Sequence, residues 1–308
     1  MSDGARQPGE SSFENNVQAD QSPLSFVGFL IIDKPHGWTS FDCVNKIRGT
    51  LERGLRAKYG ELPGGAKRLK VGHSGTLDPY ATGVLVVAVG KATKMIEELK
   101  GCDKDYVAEI GFGLMSETYD LDGEVKVVDG MGDVADPDGL VCQFDDDFVE
   151  QLESMLPEFV GEIQQIPPRF SALKVDGKRA YDLARKGKDF ELAARTVHIE
   201  RLDILGKELR PILSDHPDLQ FPVVTLQMTV STGTYIRSLA RDIGEKLGIP
   251  AVLTGLRRTR VGKASLGSGV SSSISITPPS YPIISLSKET TFEELAEALI
   301  PVEEFMNS

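Results

Sequence analysis

Residues 84–89, Val-Leu-Val-Val-Ala-Val, are an unbroken apolar run that begins immediately after a loop punctuated by Gly72, Gly75, Pro79 and Gly83. So short a run, closed off by turn residues on its N-terminal side, predicts a buried strand. The loop ahead of it reads Gly72-His73-Ser74-Gly75-Thr76-Leu77-Asp78-Pro79 and then Ala81-Thr82-Gly83. It holds a single carboxylate, Asp78, just before the strand. A strand fixes such a group in space while the loop leaves it accessible, which is where catalytic side chains concentrate. Taken in isolation, Asp78 also reads as the residue that closes an Asx-turn before Pro79.

Other segments of strand length and β-favouring composition are 29–32, 106–112, 197–205 and 223–230. Between them, Ser40 stands where a helix cap is needed, ahead of Phe41, Val44, Ile47 and Leu51 on one helical face. Further helices are expected around Phe148, Leu152, Met155, Leu156 and Phe159, and around Leu239, Ile243 and Leu247. This alternation, without a strict repeat, predicts an α+β domain on one large mixed sheet. Residues 53–70, with Gly60, Pro63, Gly64 and Gly65, break the helical pattern and read as an insertion of open role. Residues 265–280 are rich in Ser, Gly and Pro and read as a linker, and Phe292, Leu295, Leu299 and Ile300 as a terminal helix.

Composition excludes several classes. No run of apolar residues is long enough for a transmembrane helix. The first 25 residues are polar, with Arg6 their only basic side chain, unlike a secretory or transit signal. They read as a disordered tail, taken as residues 1–27. Cys43, Cys102 and Cys142 are odd in number and lack Cys-x-x-Cys spacing, and the four histidines are scattered. Neither a disulfide framework nor a metal site is expected, and a reducing compartment is.

The net charge of −12 is unevenly spread. Residues 117–153 hold thirteen acidic residues and one lysine, which accounts for the whole excess. Residues 46–70 hold eight basic residues and two glutamates, and Lys174, Lys178, Arg179, Arg185, Lys186 and Lys188 form a second basic cluster. Each lysine alone reads as a solvated face; together they make a candidate track for a phosphate backbone.

The loop 72–83 resembles the catalytic loop of the pseudouridine synthases, in the TruB branch that modifies the T-arm of transfer RNA and in its guide-RNA-dependent relatives. Upstream, Gly28-Phe29-Leu30-Ile31-Ile32-Asp33-Lys34-Pro35-His36-Gly37-Trp38-Thr39-Ser40 is similar to that family's opening strand and turn. Downstream, Lys104-Asp105-Tyr106, Gly233-Thr234-Tyr235-Ile236-Arg237 and Leu256-Arg257-Arg258-Thr259-Arg260 resemble three further elements in the family's order. The resemblance implies a mixed, mainly antiparallel sheet with flanking helices and a central RNA-binding cleft. It puts the catalytic domain at 28–263, with a thumb-like insertion at about 166–188. Residues 264–308 are then a linker and terminal helix with no separate C-terminal RNA-binding domain.

The same resemblance implies roles. Asp78 is the essential carboxylate, Arg237 its partner, and Tyr106 the aromatic that stacks on the target base and accepts a proton. Without the family pattern, Arg237 reads as a surface ion pair with Asp242, and Tyr106 as core. His73 is expected to occupy space left by extruded nucleotides, or else to bridge backbone groups in its loop. Tyr235 packs beside Arg237, Leu256 walls the uracil pocket, and Lys34, Lys174, Lys178 and Arg179 contact RNA. The expected protein is a stand-alone, cofactor-free monomer that converts the T-arm uridine (position 55) of transfer RNA to pseudouridine. Its expected setting is the cytoplasm, with nucleus or mitochondrion as eukaryotic alternatives. Two other readings stay open, a guide-RNA-dependent (H/ACA-type) synthase and a noncatalytic tRNA-binding folding chaperone.

Overall fold

The computed structural model describes residues 26–128, 145–265 and 281–307. The expected tail before residue 26, much of the acidic stretch, Cys142 and most of the Ser/Pro-rich stretch lie outside the described residues.

In chain order the first half comprises β1 (Gly28–Lys34), α1 (Ser40–Tyr59), β2 (Val71–His73), β3 (Thr82–Val89), α2 (Ile96–Lys100), β4 (Lys104–Phe112), β5 (Leu114–Ser116) and β6 (Val125–Val127). There follow α3 (Asp146–Met155), β7 (Gly161–Gln165), β8 (Lys174–Val175), β9 (Lys178–Arg179), α4 (Ala180–Ala184), β10 (Arg195–Arg210), β11 (Phe221–Val230) and α5 (Ile236–Leu247). The last elements are β12 (Ala251–Val261), β13 (Ala264–Ser265), β14 (Ile283–Ser285), α6 (Phe292–Glu297), β15 (Ile300–Pro301) and α7 (Val302–Asn307). One sheet of eleven strands runs β14-β1-β3-β12-β4-β11-β10-β7, with β2, β13 and β15 pairing β3, β12 and β1. Only the β1–β14 and β3–β12 pairings are parallel within it, so the sheet is mixed and mainly antiparallel.

The apolar run in β3 is continuous because both of its faces are covered. Leu85, Val87 and Val89 pack with Leu30 and Ile32 of β1 against Ile47, Leu51 and Leu55 of α1. Val84, Val86 and Ala88 pack with Phe29 and Ile31 on the other face, against Ile300 and Phe305. A third cluster sets β4, β10, β11 and β12 against α3 and α5.

Several boundaries depart from the sequence reading. Thr39, not Ser40, caps α1: its hydroxyl accepts from Asp42 N–H at 3.0 Å and the Asp42 carboxylate accepts from Thr39 N–H at 2.9 Å. Phe41 is 61% exposed, and the inward face is carried by Cys43, Val44, Ile47, Leu51 and Leu55. The helix runs on to Tyr59, so the first seven residues of the expected insertion are helical, with Leu55 fully buried. Packing begins before residue 28, since Phe26 is buried and stacks on Phe292 at 5.7 Å. The expected terminal helix is split by β15 into α6 and α7. Among the described residues, no helix is long and apolar enough to cross a membrane.

Gly83 shows how tightly the centre is built. It faces Arg258 across the parallel β3–β12 pairing, its φ is +103°, and a Cβ there would lie 2.1 Å from the Arg258 carbonyl oxygen. Gly83→Ala is therefore expected to cost roughly 3 kcal/mol or more of stability in urea denaturation. A loss below about 1 kcal/mol would mean that β3 and β12 part locally without harm.

Candidate active site

The loop between β2 and β3 is held from behind by buried polar groups. The Lys34 ammonium donates to the carbonyls of Pro35 at 2.9 Å, Trp38 at 2.6 Å and Pro79 at 3.1 Å, and Gly37 N–H donates to the Pro79 carbonyl at 2.8 Å. Ser40, freed from capping, accepts from Leu77 N–H at 2.8 Å and donates to the Leu77 carbonyl at 3.1 Å. Arg258, only 1% exposed, donates to the carbonyls of Val84 at 2.7 Å, Gly75 at 3.3 Å and Thr76 at 3.5 Å. These contacts fix both ends of a loop that has no regular hydrogen-bond ladder of its own.

Asp78 projects from this frame toward α5. Its Oδ2 lies 3.0 Å from Arg237 Nε, with the arginine side chain 7% exposed and the carboxylate 34%. Arg237 occupies the first turn of α5, where the helix dipole disfavours a cation, and burial disfavours it further. Four acceptors answer that cost. Besides Asp78, Asp120 Oδ2 lies 3.5 Å from Nε, and the terminal nitrogens donate to the carbonyls of Thr118 and Phe170, each at 3.0 Å. Burial alone would lower the guanidinium pKa, but the facing carboxylates, Asp78 before Asp120, help to reverse this, and the net direction is upward. Arg237 is thus a permanent cation. The alternative partner, Asp242, is taken by Arg241.

Sequence reasoning missed Asp120. It is 2% exposed, its carboxylate accepts from the Thr118 hydroxyl and from Asp122 N–H, and burial pushes its pKa up against those hydrogen bonds and Arg237. One acid among thirteen carries no local signal of this kind.

Tyr106 of β4 is buried in the same apolar cluster as Leu77, the residue before Asp78, and Leu256 of β12 packs against that cluster. Of the expected residues, Asp78 and Arg237 are in direct contact, while Tyr106 and Leu256 are tied to the loop only through the apolar cluster that holds Leu77. Tyr235 N–H donates to Gln165 Oε1 at 2.8 Å, and Gln165 Nε2 donates back to the Tyr235 carbonyl at 3.1 Å, which locks the start of α5 to the end of β7. Burial raises the Tyr235 phenol above its ordinary value. His73 bridges its own loop, its Nδ1 accepting from Gly75 N–H at 3.3 Å, and burial lowers its pKa toward the neutral ring that can accept.

Lys34 corrects the expectation that it contacts RNA. It is fully buried with three carbonyls around its ammonium, so it braces the loop and offers nothing to a ligand. Burial brings its pKa down to about 8 and pushes the neighbouring Cys43 thiol up to about 11. Lys174, Lys178 and Arg179 lie on the small hairpin formed by β8 and β9. Asp176 and Gly177 turn it with φ of 50° and 78°, the left-handed pair that a two-residue turn needs. All three are exposed, around an open depression shared with Asp182, Leu183 and Lys186.

The model of the N-terminal domain of TruB family pseudouridylate synthases matches residues 64–236. The tRNA pseudouridine synthase B of Phocaeicola vulgatus is 45% identical over 237 residues, which make up 77% of this chain and 86% of the relative. The crystal structure of the archaeal box H/ACA sRNP Nop10-Cbf5 complex aligns with a TM-score of 0.51 at 24% identity, covering 91% of this chain and 61% of that one. A Cbf5-Nop10-Gar1 complex aligns at 0.48 with 30% identity, over 78% of this chain and 50% of that one. The chain thus spans half to three fifths of these solved chains; the first of the two is a likeness of fold.

Two outcomes follow from the bracing groups. Folded Lys34 releases its proton near pH 8, whereas the unfolded lysine holds it to 10.5. Between those values the unfolded state binds more protons, so the lysine's contribution to stability rises with pH. The stability gap between wild type and Lys34→Met should therefore widen from pH 8 to 10.5 in denaturant titrations; a constant gap would contradict the buried ammonium. Asp120→Asn removes one of the two carboxylates facing Arg237 and should lower turnover roughly tenfold to hundredfold, and full turnover would show that Asp78 alone suffices for Arg237.

Proposed function

The chain belongs to the TruB family of pseudouridylate synthases, and from that premise we propose that it converts the T-arm uridine (position 55) of transfer RNA to pseudouridine, alone and without a guide RNA. The single observation carrying this reading is Asp78, partly exposed and ion-paired at 3.0 Å to a buried Arg237. The curated relative's name, tRNA pseudouridine synthase B, supports transfer RNA as the substrate.

The reaction breaks the bond from C1' to N1, turns the uracil, joins C1' to C5, and exchanges the proton lost from C5 for one gained at N1. Atoms and electrons balance within the nucleotide, so neither oxidant nor energy source is needed. Asp78 supplies negative charge to the electron-poor centre formed when the glycosidic bond breaks, as a glycosidase carboxylate does. Arg237 keeps that carboxylate ionised and aimed. The Tyr106 ring stacks on the extruded uracil and its hydroxyl relays the C5 proton, giving up its own toward N1 as it accepts; Leu256 keeps the detached base from leaving. Extruding the uridine costs a few kcal/mol of stacking, and flat side chains in the pocket offset part of it. Residues 166–188 act as a thumb whose Lys174, Lys178 and Arg179 reach phosphates of the stem-loop. The Arg237 hydrogen bond to the Phe170 carbonyl couples the thumb's base to the site. The setting is the cytoplasm and the active form a monomer.

Incubation of purified protein with an unmodified tRNA transcript, followed by mapping of pseudouridine, tests the reading. Product at the T-arm uridine without any guide is expected, product only with a guide selects the H/ACA-type alternative, and binding without product selects a folding chaperone. Asp78→Asn should bind the stem-loop with unchanged affinity and lose at least about a thousandfold in turnover; normal turnover would remove Asp78 from its role.

A further inference from the structure

Tyr80 lies two residues beyond Asp78, inside the turn that Ala81 N–H closes on the Asp78 carbonyl at 3.1 Å. Its side chain is buried, and its ring belongs to the cluster of Tyr106 and Leu77. Its hydroxyl is also buried, and it makes no hydrogen bond. A phenylalanine would fill the same space without leaving a polar atom unpaired, so the hydroxyl is a cost to the folded protein. Such a cost at a reactive site points to a partner acquired during function.

What the hydroxyl faces narrows that partner. Burial, then Asp78, push the phenol well above its ordinary pKa, and Arg237, Asp120 and Asp122 are the other charged groups that act on it. The phenol therefore keeps its proton throughout the working range and is a donor. Asp120 already accepts from Thr118 and Asp122 and is closed in. Asp78 is a third exposed, sits in the same short turn, and has its Oδ2 against Arg237.

We propose that Tyr80 is a positioning residue for the reaction, its hydroxyl donating a hydrogen bond to the Asp78 carboxylate when bound RNA closes the site, so that the phenol and Arg237 together fix the carboxylate's direction. The inference rests on the reading of Asp78 as the reactive carboxylate. The phenol does not touch the uridine; it limits rotation of Asp78 and favours its ionised form.

Tyr80→Phe tests this in single-turnover assays with the tRNA transcript. The rate should fall roughly tenfold with RNA affinity unchanged, and the acid limb of the rate profile should move to higher pH. The melting temperature should hold or rise, because an unpaired buried hydroxyl has been removed. Wild-type rate and an unmoved acid limb in Tyr80→Phe would overturn the proposal. So would a lower rate accompanied by a lower melting temperature and an unmoved limb, the signature of a packing residue. A wild-type protein that binds the transcript but yields no product would sink the functional reading, and this inference with it, in a pattern distinct from either.

Discussion

A buried positive charge governs the centre of this protein. Arg237 is placed by the first turn of α5 where both solvent and helix dipole are against it, and a guanidinium there persists only if its donors are met. The acceptors come from widely separated parts of the chain: Asp78 from the loop before β3, Thr118 and Asp120 from the turn after β5, and Phe170 from the segment after β7. Meeting the needs of one side chain thus assembles the site. The Asp78 carboxylate is a third exposed where that of Asp120 is buried, so the group that satisfies Arg237 on one side stays accessible on the other.

The frame behind that charge is made of polar groups used structurally. Lys34, Ser40 and Arg258 bind carbonyls and an amide of the loop 75–79 and of Val84, each from a different element. Because those side chains are buried, water does not compete for the loop's backbone, and the carboxylate is held before any ligand arrives.

Those uses explain what was legible in the residues and what was not. Strands β1, β3 and β11 were legible because burial on both faces writes itself as apolar runs, and β4 because Tyr106, Ala108 and Ile110 alternate on its inward face. Strand β12 was not, since Arg257, Arg258 and Arg260 look like a surface. Their charges are met by Asp33, the Val84 carbonyl and Asp105, partners that only the fold brings near. The same holds for Lys34, whose burial no local pattern announces, and for Asp120, indistinguishable by type from its acidic neighbours. Ser40 and Thr39 are both acceptable caps, and the choice between them was made by Leu77, thirty-seven positions away. Helix pattern placed α1 but not its end, because glycines at 60, 64 and 65 drew the boundary too early. Asp78 and Arg237 were found through motif resemblance, and their distance apart is a tertiary fact.

The first strand, β1, lies between β3 and β14, and β14 and β15 are supplied by the far end of the described chain. During synthesis β1 leaves the ribosome long before either of those partners exists. Until they arrive it has an open hydrogen-bonding edge and an uncovered apolar row that includes Phe29 and Ile31, the condition in which nascent chains pair wrongly or recruit holding factors. The flank of the sheet that carries Lys34, and through it the reactive loop, can therefore be sealed only after translation of residues 283–301, so competence for chemistry is a late event in the life of each newly made molecule.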